Sequence, residues 1–348
     1  MTDQITLTRP DDWHLHLRDG AMLAETVPAT ARAFARAIVM PNLTPPVVRL
    51  ADAARYRERI LAALPADMSF EPLMTLYLTD NTSAADIAEA AATGFVKAVK
   101  LYPAGATTNS DNGVSDPKGI YAVFEALQKH DLPLLVHGEV THADIDIFDR
   151  EKAFIDQYLV AIRREFPALR IVFEHVTTAD AVDFVKAAGA LTAASVTPQH
   201  LLMNRNDLLV GGVRPHNYCL PILKRRSHQE AIQQAVLAGH ERFFLGTDSA
   251  PHARHKKEAA CGCAGCYSAP AALPLYAGFF DRHQALDKLE AFASHFGPDF
   301  YRLPRNSDKV TLVRKPWTVP ELVEVNGELF VPFAAGQRLD WQLSDATL

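Results

Sequence analysis

Eight short apolar runs recur along this chain, and each is followed by a segment of helical periodicity. The strand-like runs are Trp13–Leu17, Ala37–Met40, Leu73–Leu78, Val96–Leu101, Leu132–His137, Ile171–His175, Leu191–Val196 and Phe243–Gly246. The helical segments are Met22–Arg36, Ala51–Leu64, Ser83–Thr93, Ile120–His130, Lys152–Phe166, Ala179–Ala188, Ser227–Ala238 and, after the eighth run, Leu286–Phe296. Strand–helix alternation repeated this often demands parallel pairing with helices outside, so the expected fold is α/β, a single (β/α)8 TIM barrel. A doubly wound sheet is the competing architecture, but no G-x-G-x-x-G follows a strand. At 348 residues the chain could divide in two, yet α/β barrels regularly reach this length as one domain. One barrel domain over residues 1–348 is therefore expected, with 310–348 as a C-terminal extension packed on it. In that extension Val319–Val325 and Glu328–Phe333 flank Asn326-Gly327, a hairpin signal.

Composition narrows the function classes. Hydrophobic residues make up 48% and charged residues 22%, which suits a globular protein with a large core. The net charge is −6 and no long basic run appears, so nucleic acid is not an expected partner. Residues 1–10 are polar and lead into Asp11 and Asp12 rather than into the apolar centre of a signal peptide. The charge-free stretch Ala259–Phe280 is broken by Pro270, Pro274 and glycines, so no membrane span is expected. Cys219, Cys261, Cys263 and Cys266 make a poor disulfide framework, and a reduced, cytoplasmic protein follows. Cys261-x-Cys263-x-x-Cys266, with His255, could be read as a structural zinc site, but it lacks a second matching pair.

Catalytic residues of a barrel project from the C-terminal ends of its strands. His14, His16, Asn42, Lys100, His137, His175 and Asp248 all lie at such ends, so residues far apart in sequence converge on one mouth. His14-Leu15-His16 puts two imidazoles on one side of a strand. Any one of these histidines could be a hydrogen-bonded core residue; four at one mouth suit Zn²⁺, which takes imidazole and carboxylate ligands. Lys97 and Lys100 face opposite sides of their strand. An inward Lys100 among metals would lose its charge and could take up CO₂ as a carbamate, whereas an outward one would be a solvated rim residue. Asp248 can bind metal and exchange a proton, or it can cap a helix. Arg18, Asn42 and His252 could together hold a substrate carboxylate. Residues 103–113 are rich in turn formers and poor in large apolar anchors, and they are placed to act as a mobile lid.

The segments Asp12-Trp13-His14-Leu15-His16-Leu17-Arg18, Met40-Pro41-Asn42, Lys100-Leu101-Tyr102-Pro103, Val136-His137-Gly138-Glu139 and Gly246-Thr247-Asp248-Ser249-Ala250-Pro251-His252 resemble the class II, bacterial type of dihydroorotase in the amidohydrolase superfamily. The resemblance runs from Thr8 into the segment Cys261–Pro270 and fits the total length. It implies two Zn²⁺ per chain, the more buried one held by His14, His16 and Asp248, the more exposed one by His137 and His175. N6-carboxylated Lys100 and a hydroxide would bridge them. It also implies that Arg18, Asn42 and His252 bind the substrate carboxylate and that His137 and backbone groups of Leu220 and Ala264 contact substrate. Thr107 and Thr108 would sit on the loop that closes over it. The implied reaction interconverts N-carbamoyl-L-aspartate with L-dihydroorotate and water, with Asp248 carrying the proton in a homodimeric enzyme. By the same resemblance the cysteine-rich segment is not a zinc site. A hydantoinase-like or allantoinase-like protein would share the metal core but has no use for the Arg18, Asn42 and His252 cluster. A catalytically dead barrel used as a scaffold would be expected to have lost ligands, and none is substituted.

Overall fold

The computed structural model describes residues 3–344. Strand β1 (Gln4–Thr8) stands outside the barrel. The barrel itself comprises β2 (Asp11–Leu15), β3 (Arg36–Val39), β4 (Glu71–Tyr77), β5 (Val96–Leu101), β6 (Leu134–Val136), β7 (Ile171–Phe173), β8 (Thr192–Val196) and β9 (Phe243–Leu245), paired in that order. Every pairing is parallel, and a parallel bridge between Leu15 and Ser249 brings the last strand back to the first. This is a (β/α)8 barrel.

The strands are buried on both faces, which is why they read as nearly unbroken apolar runs. One side chain from each strand fills the interior: Trp13, Ile38, Leu73, Ala98, Leu135, Val172, Ala193 and Phe244. Large Trp13 and Phe244 are offset by small Ala98 and Ala193, and Tyr301 closes the layer. Their neighbours along the strands, among them Val39, Val99, Val136, Phe173 and Val196, face outward into the cluster shared with the helices.

The eighth helix differs from expectation. The long helix after β9 is Ala272–Arg282, and residues 286–301 instead form the short turns Leu286–Lys288, Ala291–His295 and Phe296–Tyr301. The reason is burial: Ala272–Arg282 is apolar nearly all round, with eight of its residues inside, so it carries no polar face to give a helical period. The last turn delivers Tyr301 beneath the barrel.

Beyond it come β10 (Lys309–Thr318), β11 (Val323–Val325), β12 (Glu328–Phe330) and β13 (Arg338–Leu343). Strands β11 and β12 form the expected hairpin around Asn326 and Gly327, whose φ values of 50° and 81° suit its turn. Strand β10 pairs with β1 on one side and β13 on the other. Leu7, Val310, Leu312 and Trp341 of this small sheet join the outer cluster of the barrel. Among the described residues no helix is long and apolar enough to cross a membrane.

Candidate active site

The first strand sets the mouth. Strict alternation would put Trp13 and His14 on opposite faces, but a register shift between Asp12 and Leu15 lets Trp13 fill the interior while His14 turns to the mouth above it. The His16 N–H donates to the Ser249 carbonyl (3.0 Å) and the Asp248 N–H to the His14 carbonyl (2.8 Å), which locks the segment after β9 beside β2. Gly246 permits this approach, since a Cβ there would lie 2.7 Å from the Ser195 Cβ and 3.2 Å from that of His14. Thr247 donates its N–H and hydroxyl to buried Asp12 (2.8 and 2.6 Å), whose carboxyl is pushed up to about 7 by burial. Arg18, His175 and Asp248 take positive φ values of 62°, 43° and 45°, conformations that side chains other than glycine adopt at a cost and that concentrate at functional sites.

Three ligand atoms converge at the centre. His14 Nε2 and His16 Nε2 lie 3.3 and 3.1 Å from Asp248 Oδ1 and 3.3 Å from each other. His175 and Glu174 form a second group with His14, all ligand atoms lying within 4.8 Å of one another. The His137 and His175 rings are 4.7 Å apart, and His137 Nε2 meets Glu139 at 2.8 Å, so its Nδ1 is not used by that contact. Lys100 is fully buried and pairs with Glu174. Burial holds the imidazoles of His14, His16 and His175 below their ordinary range and pushes the Lys100 amine well down. Burial would raise Asp248, but His14 and His16 outweigh it and hold the carboxylate ionised. The alternative of a solvated rim position for Lys100 is thereby removed.

The donor set fits a divalent cation. His14 Nδ1, His175 Nδ1 and Glu174 Oε1 are buried without a hydrogen-bond partner, although His14 Nδ1 and Glu174 Oε1 are only 3.1 Å apart and simply misaligned. Neutral imidazoles and an ionised carboxylate crowded together in this way are the ligand types Zn²⁺ takes. Neither candidate metal group among the described residues includes a cysteine; Cys261 is exposed and Cys266 is buried.

The mouth opens on a cavity of about 20 Å³ lined by His14, His16, Arg18, Asn42, Thr107, Thr108, His137, His175, Leu220, Asp248 and Ala264, together with Tyr102. Space for about one water molecule remains because the 103–113 loop lies closed over the centre. It lacks apolar anchors, as the sequence suggests, but is held by polar ones. Asn42 donates to the Thr108 carbonyl (3.0 Å), Asn109 to the Asn42 carbonyl (3.1 Å), and buried Ser110 to the Thr107 carbonyl (2.6 Å). At the rim, Arg18 donates to the Pro251 carbonyl (3.1 Å) and to His252 Nε2 (2.8 Å). Burial, and then Arg18, push His252 down to about 2, so its ring is neutral. Lys100 and His252 are not in this lining; His252 lines a neighbouring cavity that shares Arg18 and Thr108. Sequence reasoning missed Glu174, Glu139 and Tyr102. Glu174 ends an apolar strand as visibly as His175, and Glu139 repeats the two-residue spacing of His14 and His16.

The amidohydrolase family model matches residues 11–311. The chain belongs to the amidohydrolase family. A protein of Alcanivorax borkumensis described as dihydroorotase is 73% identical over 343 residues, covering 99% of this chain and 100% of the relative. Among solved structures, dihydroorotase from Saccharomyces cerevisiae in complex with 5-fluoroorotic acid is 32% identical, with a TM-score of 0.92 and 99% of each chain covered. Dihydroorotase from Campylobacter jejuni is 37% identical, with a TM-score of 0.91 over 99% of this chain and 98% of that one. Within the amidohydrolases, this chain therefore falls among the dihydroorotases.

Proposed function

We propose that the chain is a dihydroorotase, interconverting N-carbamoyl-L-aspartate with L-dihydroorotate and water in pyrimidine biosynthesis, as a cytoplasmic homodimer carrying two Zn²⁺ per chain. Identity of 73% over essentially the whole length supports the reaction. One observation carries the substrate class: the Arg18 guanidinium lines the same closed cavity as the imidazole–carboxylate centre, and a neutral imidazole, His252, lies 2.8 Å from it. Of the five N–H donors of Arg18, two are spent on Pro251 and His252, so three are left for a carboxylate.

His14, His16 and Asp248 would hold one ion, and His137 and His175 the other. Glu139 would orient His137 through its second nitrogen, as carboxylates commonly do for metal-bound imidazoles. The neutral Lys100 amine would add to CO₂: its nitrogen bonds the carbon, a proton leaves, and the resulting carbamate would supply a further anionic ligand to the metal centre. When bound, the two Zn²⁺ would polarise the amide carbonyl and make a water nucleophilic at neutral pH. Written as hydrolysis, water adds to the ring amide carbon and the C–N bond breaks. Asp248 accepts the proton from that water and delivers it to the departing ring nitrogen; in the reverse direction it takes the proton from the attacking ureido nitrogen. Arg18, Asn42 and His252 would fix the carboxylate, and backbone groups of Leu220 and Ala264 the rest of the ring. Thr107 and Thr108 would exclude water.

The test is zinc per chain on purified protein, together with dihydroorotate hydrolysis by the same sample. Near two zinc ions with turnover is expected. Two ions without turnover would move the substrate to another cyclic amide. Zinc that survived His14→Ala and His16→Ala but not Cys261→Ser would overturn the site.

A further inference from the structure

Two backbone segments, residues 218–220 and 263–265, contribute to the wall of the cavity through Leu220, Ala264 and Gly265. They are joined behind the cavity by one side chain. Lys257 is 4% exposed, and its ammonium donates to the carbonyls of Tyr218 (3.0 Å), Cys263 (3.0 Å) and Gly265 (2.5 Å). An ammonium has three N–H donors, so main-chain carbonyls saturate it.

The pattern of grips is specific. Lys257 holds the carbonyls of residues 263 and 265, on either side of Ala264, which lines the cavity, and the Gly265 backbone packs against the ring of His252, the partner of Arg18. The Gly265 N–H donates to the same Tyr218 carbonyl that Lys257 holds (2.9 Å), so both segments meet at one oxygen. There is little slack: a Cβ at Gly265, where φ is +143°, would lie 2.7 Å from the Ala250 carbonyl and 3.0 Å from the His252 ring. A cation buried this deeply is costly for a fold to keep without a purpose.

We propose that Lys257 is a positioning residue for substrate: its ammonium clamps the 218–220 and 263–265 segments so that Leu220, Ala264 and His252 hold one geometry. The inference rests on the proposed function for what the pocket binds, but the clamp itself does not depend on the substrate's identity.

The experiment compares wild type with Lys257→Met, which keeps the stem and removes the charge and donors. Amide hydrogen exchange, zinc content and steady-state kinetics on dihydroorotate would be measured on the zinc-loaded proteins. Expected are exchange at least tenfold faster in 218–220 and 263–265 with the strands β5 to β7 unchanged, full zinc, and KM raised about tenfold with kcat within about threefold. Lys257→Ala should regain most of its affinity when n-propylammonium is supplied, since that ion replaces the missing stem and charge. If Lys257→Met does not fold, Lys257→Gln carries the same comparison. Exchange and KM within twofold of wild type in a folded, zinc-loaded variant would overturn the clamp. Failure of wild type to turn over dihydroorotate would instead sink the substrate assignment, with the exchange comparison still deciding the role of Lys257.

Discussion

Trp13 and His14 are consecutive, yet they serve different parts of the barrel, its packed interior and its mouth. Below, Trp13 stacks on Tyr301 with ring centroids 4.3 Å apart at 15° and meets Phe244 edge-on at 6.2 Å. Above, His14 is surrounded by His16, His175, Glu174 and Asp248. Both ends contain buried polar atoms without partners, but of different kinds. At the floor they are the neutral Trp13 Nε1 and Tyr301 hydroxyl; at the mouth, besides the Tyr102 hydroxyl, they are imidazole nitrogens and the carboxylate oxygens of Glu174 and Glu139. A neutral orphan costs about 1–3 kcal/mol and can be tolerated for packing. Orphaned carboxylate oxygens crowded among neutral imidazole nitrogens are far more costly and make sense when a cation completes them. One strand thus separates stability from chemistry over a single residue step, by means of the bulge after Asp12.

The sharpest way to break this contrast is at the mouth. Asp248→Ala should lower kcat by about 10³-fold or more, roughly 4 kcal/mol of barrier, with the melting temperature little changed; turnover near the normal rate would remove Asp248 from proton transfer. Lys100→Ala should lose at least one metal per chain by elemental analysis, and full metal content with normal activity would exclude the bridging carbamate. At the floor the effects should invert. Trp13→Ala is expected to cost about 3–5 kcal/mol of stability in denaturant unfolding while zinc stoichiometry stays intact.

His200 sharpens the contrast through pH. It is buried between the Thr197 hydroxyl and the Pro221 carbonyl, and burial lowers its pKa to about 4. Its folded value lies below its unfolded one, so its contribution is intact above about pH 6.5 and is lost as pH falls toward 4. Between pH 7 and pH 5, wild type should lose about 2 kcal/mol more stability than His200→Gln, measured by urea unfolding at both pH values. The smallest effect is expected at the rim. Arg18→Lys gives up the planar fork and should raise KM about tenfold without loss of zinc; zinc loss there would move Arg18 from substrate to metal.

Much of this was legible in the chain, for identifiable reasons. Buried parallel strands leave continuous apolar runs, so β5 was delimited to the residue and the other barrel strands to within a few. Candidate ligands such as His137 and Asp248 stand out because a polar residue ends an apolar run. The helix Ala272–Arg282 did not show itself, because burial on every side erases periodicity. Strand β1 is short and half exposed, and it pairs with residues some 300 positions away, so no local pattern reports it. Glu174 and Glu139 look like ordinary charges until the fold places them against Lys100 and His137. Lys257 sits in a charged run, Arg254–Lys257, and only tertiary structure shows it turned inward.

The most direct measurement is anomalous diffraction at the zinc edge from crystals of the purified protein. Two peaks are expected, one among His14, His16 and Asp248 and one beside His137 and His175, with density joining Lys100 Nζ to a carboxyl group between them. A single peak, a peak at the cysteine segment, or a bare Lys100 between two ions would contradict a metal centre built from the mouth of this barrel.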